Sequence, residues 1–270
     1  MSSVLLIIGI LVFSWGCRSF QNRYINKAGW FALLVATYVG GFSLSNSHAG
    51  GVTALAMWLL FPWLGIVTRV RKLRFPIRHE LKHRFPPSRD IFPDLDEITE
   101  EVEEAGFEKT DDAGWKWESA DHFVRLFYHA EKKLQANISV SQQDGFVFSY
   151  ASLTTRTADG RSYVTTNYPF SFTMKTAPLQ QINRCEDADT FEEMLEAHDE
   201  FLNSLAVSSE GISVQDPDLL PTTVSQELSQ QIDHNLLTGV IVRLDENHFG
   251  YSWRGCVFLW LQMVKDMIRV

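Results

Sequence analysis

Residues 28–45 read AGWFALLVATYVGGFSLS, and residues 50–67 read GGVTALAMWLLFPWLGIV. Neither stretch carries a formal charge, and each is 18 residues long, just enough to cross a bilayer core. The nine residues between their densest parts, SLSNSHAGG, are also uncharged. Helices apolar on all sides would need a partner covering every face if they belonged to a soluble core. A transmembrane hairpin is therefore expected. Upstream, residues 2–17, SSVLLIIGILVFSWGC, form a third apolar segment of 16 residues. It lacks the positive leading region of a secretory signal. Ser14 also stands where a lipoprotein signal ending at Cys17 usually has leucine. The segment is read as a retained first helix, its shortness met by thinning of the bilayer or by extension toward Phe20.

Basic residues orient these segments. Arg18, Arg23 and Lys27 lie in the first connection, RSFQNRYINK, while the connection at 45–49 has no charge. Arg69, Arg71, Lys72, Arg74, Arg78, Lys82, Arg84 and Arg89 follow the third segment. The positive-inside rule then puts residues 18–27 and everything after 68 in the cytoplasm, with the N-terminus outside an inner membrane crossed three times. Tyr24, Trp30 and Trp63 fall near the expected interfaces. Pro62 should kink the third helix, and Gly40 with Gly41 should give the second a smooth packing face. The absence of Asp, Glu, Lys and Arg from the spans argues against a proton pathway, an ion-coupled transporter or a voltage sensor.

The charge divides as the hydropathy does. Residues 1–89 carry a net +10 and residues 90–270 a net −19, within a total of −9. Between the halves, residues 68–89, TRVRKLRFPIRHELKHRFPPSR, hold eight Lys or Arg against Glu80. Arg71, Arg74, Arg78 and Lys82 recur at helical spacing, with Phe75 and Leu81 placed to dip into the interface. Anionic lipid should hold this basic hinge at about 1 kcal/mol per cation, with Arg69, Arg71, Lys72, Arg74, Arg78 and Lys82 as lipid-contacting candidates. A strip held by lipid leaves little room for nucleic acid. Pro86 and Pro87 end the hinge.

From residue 90 to 250 the pattern is that of an acidic α+β domain. Leu95, Ile98, Val102 and Ala105 mark an amphipathic helix stopped by Gly106, its outer face acidic and solvated. DDAGWKWE reads as a turn with at most a short strand. Alternation predicts four antiparallel strands near 122–129, 134–142, 145–156 and 161–168, with tight turns at Asp144-Gly145 and Asp159-Gly160. One face of this meander should be covered by helices. Thr190 and Glu193 form a capping box for a helix over 190–205, and a loop of about fifteen residues follows. Thr223 is expected to cap a helix that stops at Gly239, and VIVRL at 240–244 could add a strand. Finally, residues 251–270 make an amphipathic helix with Trp253 and Trp260 on its apolar face. That face suits lipid or the transmembrane bundle, and equally the domain's own core.

The fold class is thus membrane-anchored α+β: three N-terminal transmembrane helices (1–67), the basic hinge (68–89), a small antiparallel-sheet domain with packed helices (90–250) and the C-terminal helix.

Chemistry is less legible. The chain has no GxSxG, P-loop, GxGxxG or CxxC, and its HExxH spelling, HELKH at 79–83, lies in the basic hinge. Cys17, Cys185 and Cys256 are too few and too far apart for a disulfide framework or a structural zinc site. His79 and His83 are spaced i, i+4, but among arginines that disfavour a cation. No metal, cofactor or catalytic residue is assigned. Thr165, Thr166 and Asn167, in ADGRSYVTTNYPFSF (158–172), are the ligand-site candidates, since their hydroxyl and amide groups could hold a polar ligand or finish a strand. The functional expectation is a non-enzymatic accessory or scaffold subunit of an inner-membrane assembly. Its partners would be lipid, another membrane protein or a second copy, and a basic cytoplasmic protein. A ligand or lipid sensor is the first alternative. A membrane-anchored hydrolase using Asp144, Asp159, His129 and His198 is the second.

Overall fold

The computed structural model describes residues 2–20, 22–78, 80–117, 120–143 and 145–269. These contain seven α-helices and two sheets, a mixed α+β architecture. The chain divides into two compact units. Unit 1 comprises Met1–Leu73 and Tyr251–Val270, and unit 2 comprises Arg74–Gly250. The second unit therefore begins within the basic stretch, not at residue 90.

Unit 1 contains α1 (Ser2–Arg18), α2 (Arg23–Ser45), α3 (His48–Thr68) and α7 (Trp253–Arg269). The helices α2 and α3 are long and apolar enough to cross a membrane, whereas α1, at 17 residues, is shorter. Both connections are tighter than the hydropathy suggests. The helix α2 begins at Arg23, where the Asn22 side chain accepts from the backbone N–H of Tyr24 and Ile25. Asn46 and Ser47 alone join α2 to α3, Asn46 in the left-handed region at φ 52° and Ser47 capping the backbone N–H of Ala49. An apolar run marks only the oily middle of such a helix; the polar caps beyond it set the real ends.

Small residues let α1, α2 and α3 approach. A Cβ on Gly41 would lie 2.6 Å from Ala54 Cβ and 2.6 Å from the Gly50 carbonyl, whereas a Cβ on Gly40 would meet nothing within 4 Å. Only one of the two expected glycines serves packing. The Ser14 hydroxyl donates to the Gly29 carbonyl at 2.7 Å, tying α1 to α2.

Unit 2 is built on a seven-stranded sheet, and it departs from the expected four-stranded meander in three ways. Its strands are β2 (Lys82–His83), β3 (Glu108–Trp117), β4 (Ala120–His129), β5 (Leu134–Gln143), β6 (Phe146–Arg156), β7 (Ser162–Thr166) and β8 (Gln180–Arg184), paired in that order. The segment read as a turn with at most a short strand, DDAGWKWE, contributes Asp111–Trp117 to the ten-residue β3, whose apolar alternation is obscured by Asp111, Asp112 and Gly114. The strand β8 runs parallel to β7, which adjacent-hairpin reasoning cannot foresee.

The third departure is that helices cover both faces. On one face α4 (Leu95–Glu104) and α5 (Phe191–Ser204) pack Val102, Phe191 and Met194 onto Phe127, Ile138 and Leu153. On the other, Leu220 and Val224 of α6 (Leu220–Leu237) cover Val124, Leu126 and Tyr128. The α6 start lies three residues before the expected cap at Thr223, with Pro221 in its first turn. Thr190 caps α5 as expected, but Glu193 reaches the backbone N–H of Asp189 instead of that of Thr190.

The basic hinge is not a helix beyond residue 72. After a 3-10 turn over 70–72 the chain becomes extended, as β1 (Phe75–Pro76) and then β2. The strand β1 pairs with β10 (His248–Tyr251), and β9 (Ile241–Arg243) completes a small second sheet. The helical spacing of Arg71, Arg74, Arg78 and Lys82 is therefore not realised. Pro76 and the pairing of Phe75 with Phe249 force the extended form.

Candidate functional site

The lipid-contacting candidates separate into two places. In unit 1, the Arg71 guanidinium lies 3.9 Å from the ring centre of Trp253, a cation–π contact. Trp63 of α3 packs against both Trp253 and Trp260, each at 6.4 Å between ring centres. The Trp260 indole donates to the Leu59 carbonyl at 2.7 Å. Pro62 lies in this turn of α3 and removes the donor that would bind the Trp58 carbonyl. So α7 docks onto the helical bundle and does not close the core of unit 2. Arg18 of α1 repeats the motif 3.9 Å from the ring centre of Trp30. Arg69 and Lys72 are exposed beside this belt of arginine and tryptophan.

The other candidates, Arg74, Arg78 and Lys82, belong to unit 2. Arg74 pairs with Asp245 at 3.5 Å. The short β2 covers only Ala113 and Gly114 of β3. Beside the remainder of β3 lies a groove of about 620 Å³ walled by Pro76, Trp115 and Trp117 and rimmed by Arg78, Lys82 and Lys116. Gly114 permits it: a Cβ there would sit 2.8 Å from Arg84 Cδ and 2.1 Å from the His122 carbonyl. Across the missing side chain, Arg84 reaches Asp121 and the Trp115 carbonyl. Phe75 stacks on Trp117 with ring centres 4.6 Å apart.

Thr165, Thr166 and Asn167 are used internally. Thr165 is fully buried, bonded to His198 Nδ1 at 2.9 Å, while Thr155 bonds His198 Nε2 at the same distance. Thr166 donates to the Ala151 carbonyl, and Asn167 accepts from the Ala151 backbone N–H. Asn167 also lines a pocket of about 120 Å³ between the sheet and α4 and α5. That is well below the roughly 300 Å³ at which small-molecule sites begin. Burial pushes the His198 pKa down to about 4, so the ring is neutral. His129 accepts from the Lys132 backbone N–H, and Asp159 accepts from Thr157 in its turn. Among the described residues no carboxylate bonds to His129 or His198. Asp144 and His79 lie outside the described residues. No group of three or more His, Cys, Asp or Glu placed to hold a metal ion occurs among the described residues.

No protein-family model, no curated protein and no solved structure matches this chain.

Two buried charge clusters escaped the sequence reading. Arg125 makes a two-point pair with Asp112, at 2.8 and 3.1 Å, and also donates to Thr99 of α4. Burial alone would raise the Asp112 pKa, but hydrogen bonds from Arg125 and Lys109 outweigh it and hold the carboxyl below its ordinary range. Across the sheet, Arg156 binds both Glu227 oxygens of α6 and the Gln135 amide oxygen. A charged residue inside an otherwise apolar strand was the available signal. The partner strands or helices could not be named without the fold.

Proposed function

We propose that this chain is a non-enzymatic accessory or scaffold subunit of a bacterial-type inner membrane. In this reading α1, α2 and α3 cross the bilayer with the N-terminus outside, and unit 2 presents an acidic surface to a cytoplasmic partner. The observation that carries it is the exterior of α2 and α3. Only 17% and 11% of their most apolar windows are buried within the protein, which supports a covering of lipid or partner helices. The arginine–tryptophan belt is composed as an inner-face interface should be. Unit 2 holds 15 basic and 32 acidic residues, a net −17 that favours a basic partner.

The scaffold reading is preferred to a hydrolase because His198, Asp112 and Glu227 are engaged by internal contacts. His198 bonds two threonines, and Asp112 and Glu227 each hold an arginine. Cross-linking in native membranes, followed by detergent extraction, tests the proposal. A discrete species heavier than the monomer is expected. A monomer under every cross-linking condition overturns the scaffold role, and recovery of the chain in the soluble fraction without detergent overturns the anchor.

A further inference from the structure

We propose that the groove beside β2 and β3 binds the phosphate headgroups of an anionic bilayer and sets Trp117 and Phe146, at one end of the sheet of unit 2, into that surface. The inference rests on the membrane-anchored reading and deepens it, because it makes unit 2 itself a lipid-binding module.

Three observations converge on one end of the sheet. The first is charge. Arg78, Lys82 and Lys116 rim the groove, all exposed, and none enters an ion pair with another described residue. Glu80 is the sole acidic residue among the described residues of the lining, and Arg84 is already held by Asp121. Such a cationic rim stands out on a unit of net −17. It is complementary to a phosphate surface.

The second is aromatic exposure. Trp117 of the groove is in register with Ala120, Gln143 and Phe146 across β4, β5 and β6. Strand spacing puts Phe146 about 14 Å from Trp117 along the same end. Phe146 is 58% exposed, and Phe170, 39% exposed, packs on it and on Phe148. Exposed aromatic rings at the same end as a cationic rim are what a headgroup region favours.

The third is the covalent path. Phe75, which stacks on Trp117, is two residues beyond Leu73, the last residue of unit 1 before the chain enters unit 2. Its pairing partner Phe249 is two residues before Tyr251, where the chain returns. Both tethers thus leave from the aromatic end. The β4–β5 turn with Lys132 is at the other end of the same strands.

The test uses the full chain in nanodiscs of phosphatidylcholine alone and of phosphatidylcholine mixed with phosphatidylserine. Amine acetylation is read residue by residue by mass spectrometry. In the anionic discs Lys82 and Lys116 should acetylate about tenfold more slowly than in neutral discs, and Lys132 should not change. High salt should erase the difference, and Arg78→Glu should remove about fivefold of the protection. If that variant fails to fold, the salt and lipid series on the natural chain decides alone. Equal acetylation in the two discs overturns the inference while leaving the anchor intact, provided the chain co-elutes with both. Failure to co-elute with either disc overturns the anchor itself. Protection by inorganic phosphate in neutral discs would assign the groove to a soluble phosphate ligand and overturn the lipid assignment.

Discussion

The two units of this chain are built inside out with respect to each other. In unit 1 the large apolar side chains face outward: Leu5, Trp15, Phe31 and Phe61 are each at least two-thirds exposed. Its contacts run through Gly29, Gly41, Gly50, Ser14 and Ala54. In unit 2 the large apolar side chains face inward, and Asp112, Arg125, Gln135 and Arg156 are buried with them. The difference shows what each unit must satisfy. Water rewards unit 2 for hiding apolar area, and every polar group taken inside then needs a partner. On the proposed reading of unit 1 as a bilayer segment that drive is absent between its helices, and close backbone approach and a few hydrogen bonds take over.

Mutations can break this contrast, and the largest effect is expected in the charged interior of unit 2. Arg125→Met strips Asp112 of its two-point partner inside the fold. It should destabilise unit 2 by about 3 kcal/mol, read as a lower chemical-unfolding midpoint. A shift under about 1 kcal/mol would mean that Lys109 alone satisfies Asp112. The depressed Asp112 pKa adds a pH signature. Its contribution is present above the ordinary carboxyl pKa of 3.8 and is lost as pH falls through the lower folded value.

His198 should give an effect nearly as large and at a milder pH. The folded ring is neutral, with a pKa near 4, while the unfolded ring takes up a proton near 6.5. Stability is therefore complete above pH 6.5 and declines as pH falls from 6.5 to about 4, by roughly 3 kcal/mol in all. In His198→Gln this part of the pH dependence should vanish. A variant as pH-sensitive as the natural chain would show that other groups set the slope.

Unit 1 sharpens the comparison through two neighbouring glycines. Gly41→Leu should part α2 from α3 and cost about 1–3 kcal/mol, whereas Gly40→Leu points into open space and should be nearly neutral. Detergent-resistant compactness of the bundle, followed by cysteine cross-linking, would separate them, and equal effects would refute the packing. The smallest effect is expected for Trp260→Phe, which keeps the ring and removes the bond to Leu59. About 1 kcal/mol of α7 docking should be lost, seen as faster amide exchange over 253–269. Unchanged exchange would mean that the Trp63 stacking suffices.

Much of this was readable before any coordinates. The apolar spans, the charge asymmetry, α4, α5 and the strands β4 to β7 all follow from local periodicity, because neighbours in sequence share a helix face or a strand face. Gly106 and Gly239 were legible as stops, and both adopt positive φ, at 89° and 69°. The candidates Thr165, Thr166 and Asn167 stood out as polar, yet nothing local says that Thr165 meets His198 of α5, 33 residues away.

By itself, then, the sequence determined which stretches repel water, which carry the positive charge and where most regular elements lie. The tertiary structure alone decided that residues 75–76 and 82–83 are strands, that α6 covers a second sheet face, that α7 docks on α3, and that the remaining rim cations meet two tryptophans in one groove. The reason is physical. Hydropathy and propensity act over a few residues, whereas strand pairing, ring stacking and buried ion pairs join residues tens to hundreds of positions apart, and only the closed fold selects which of them meet.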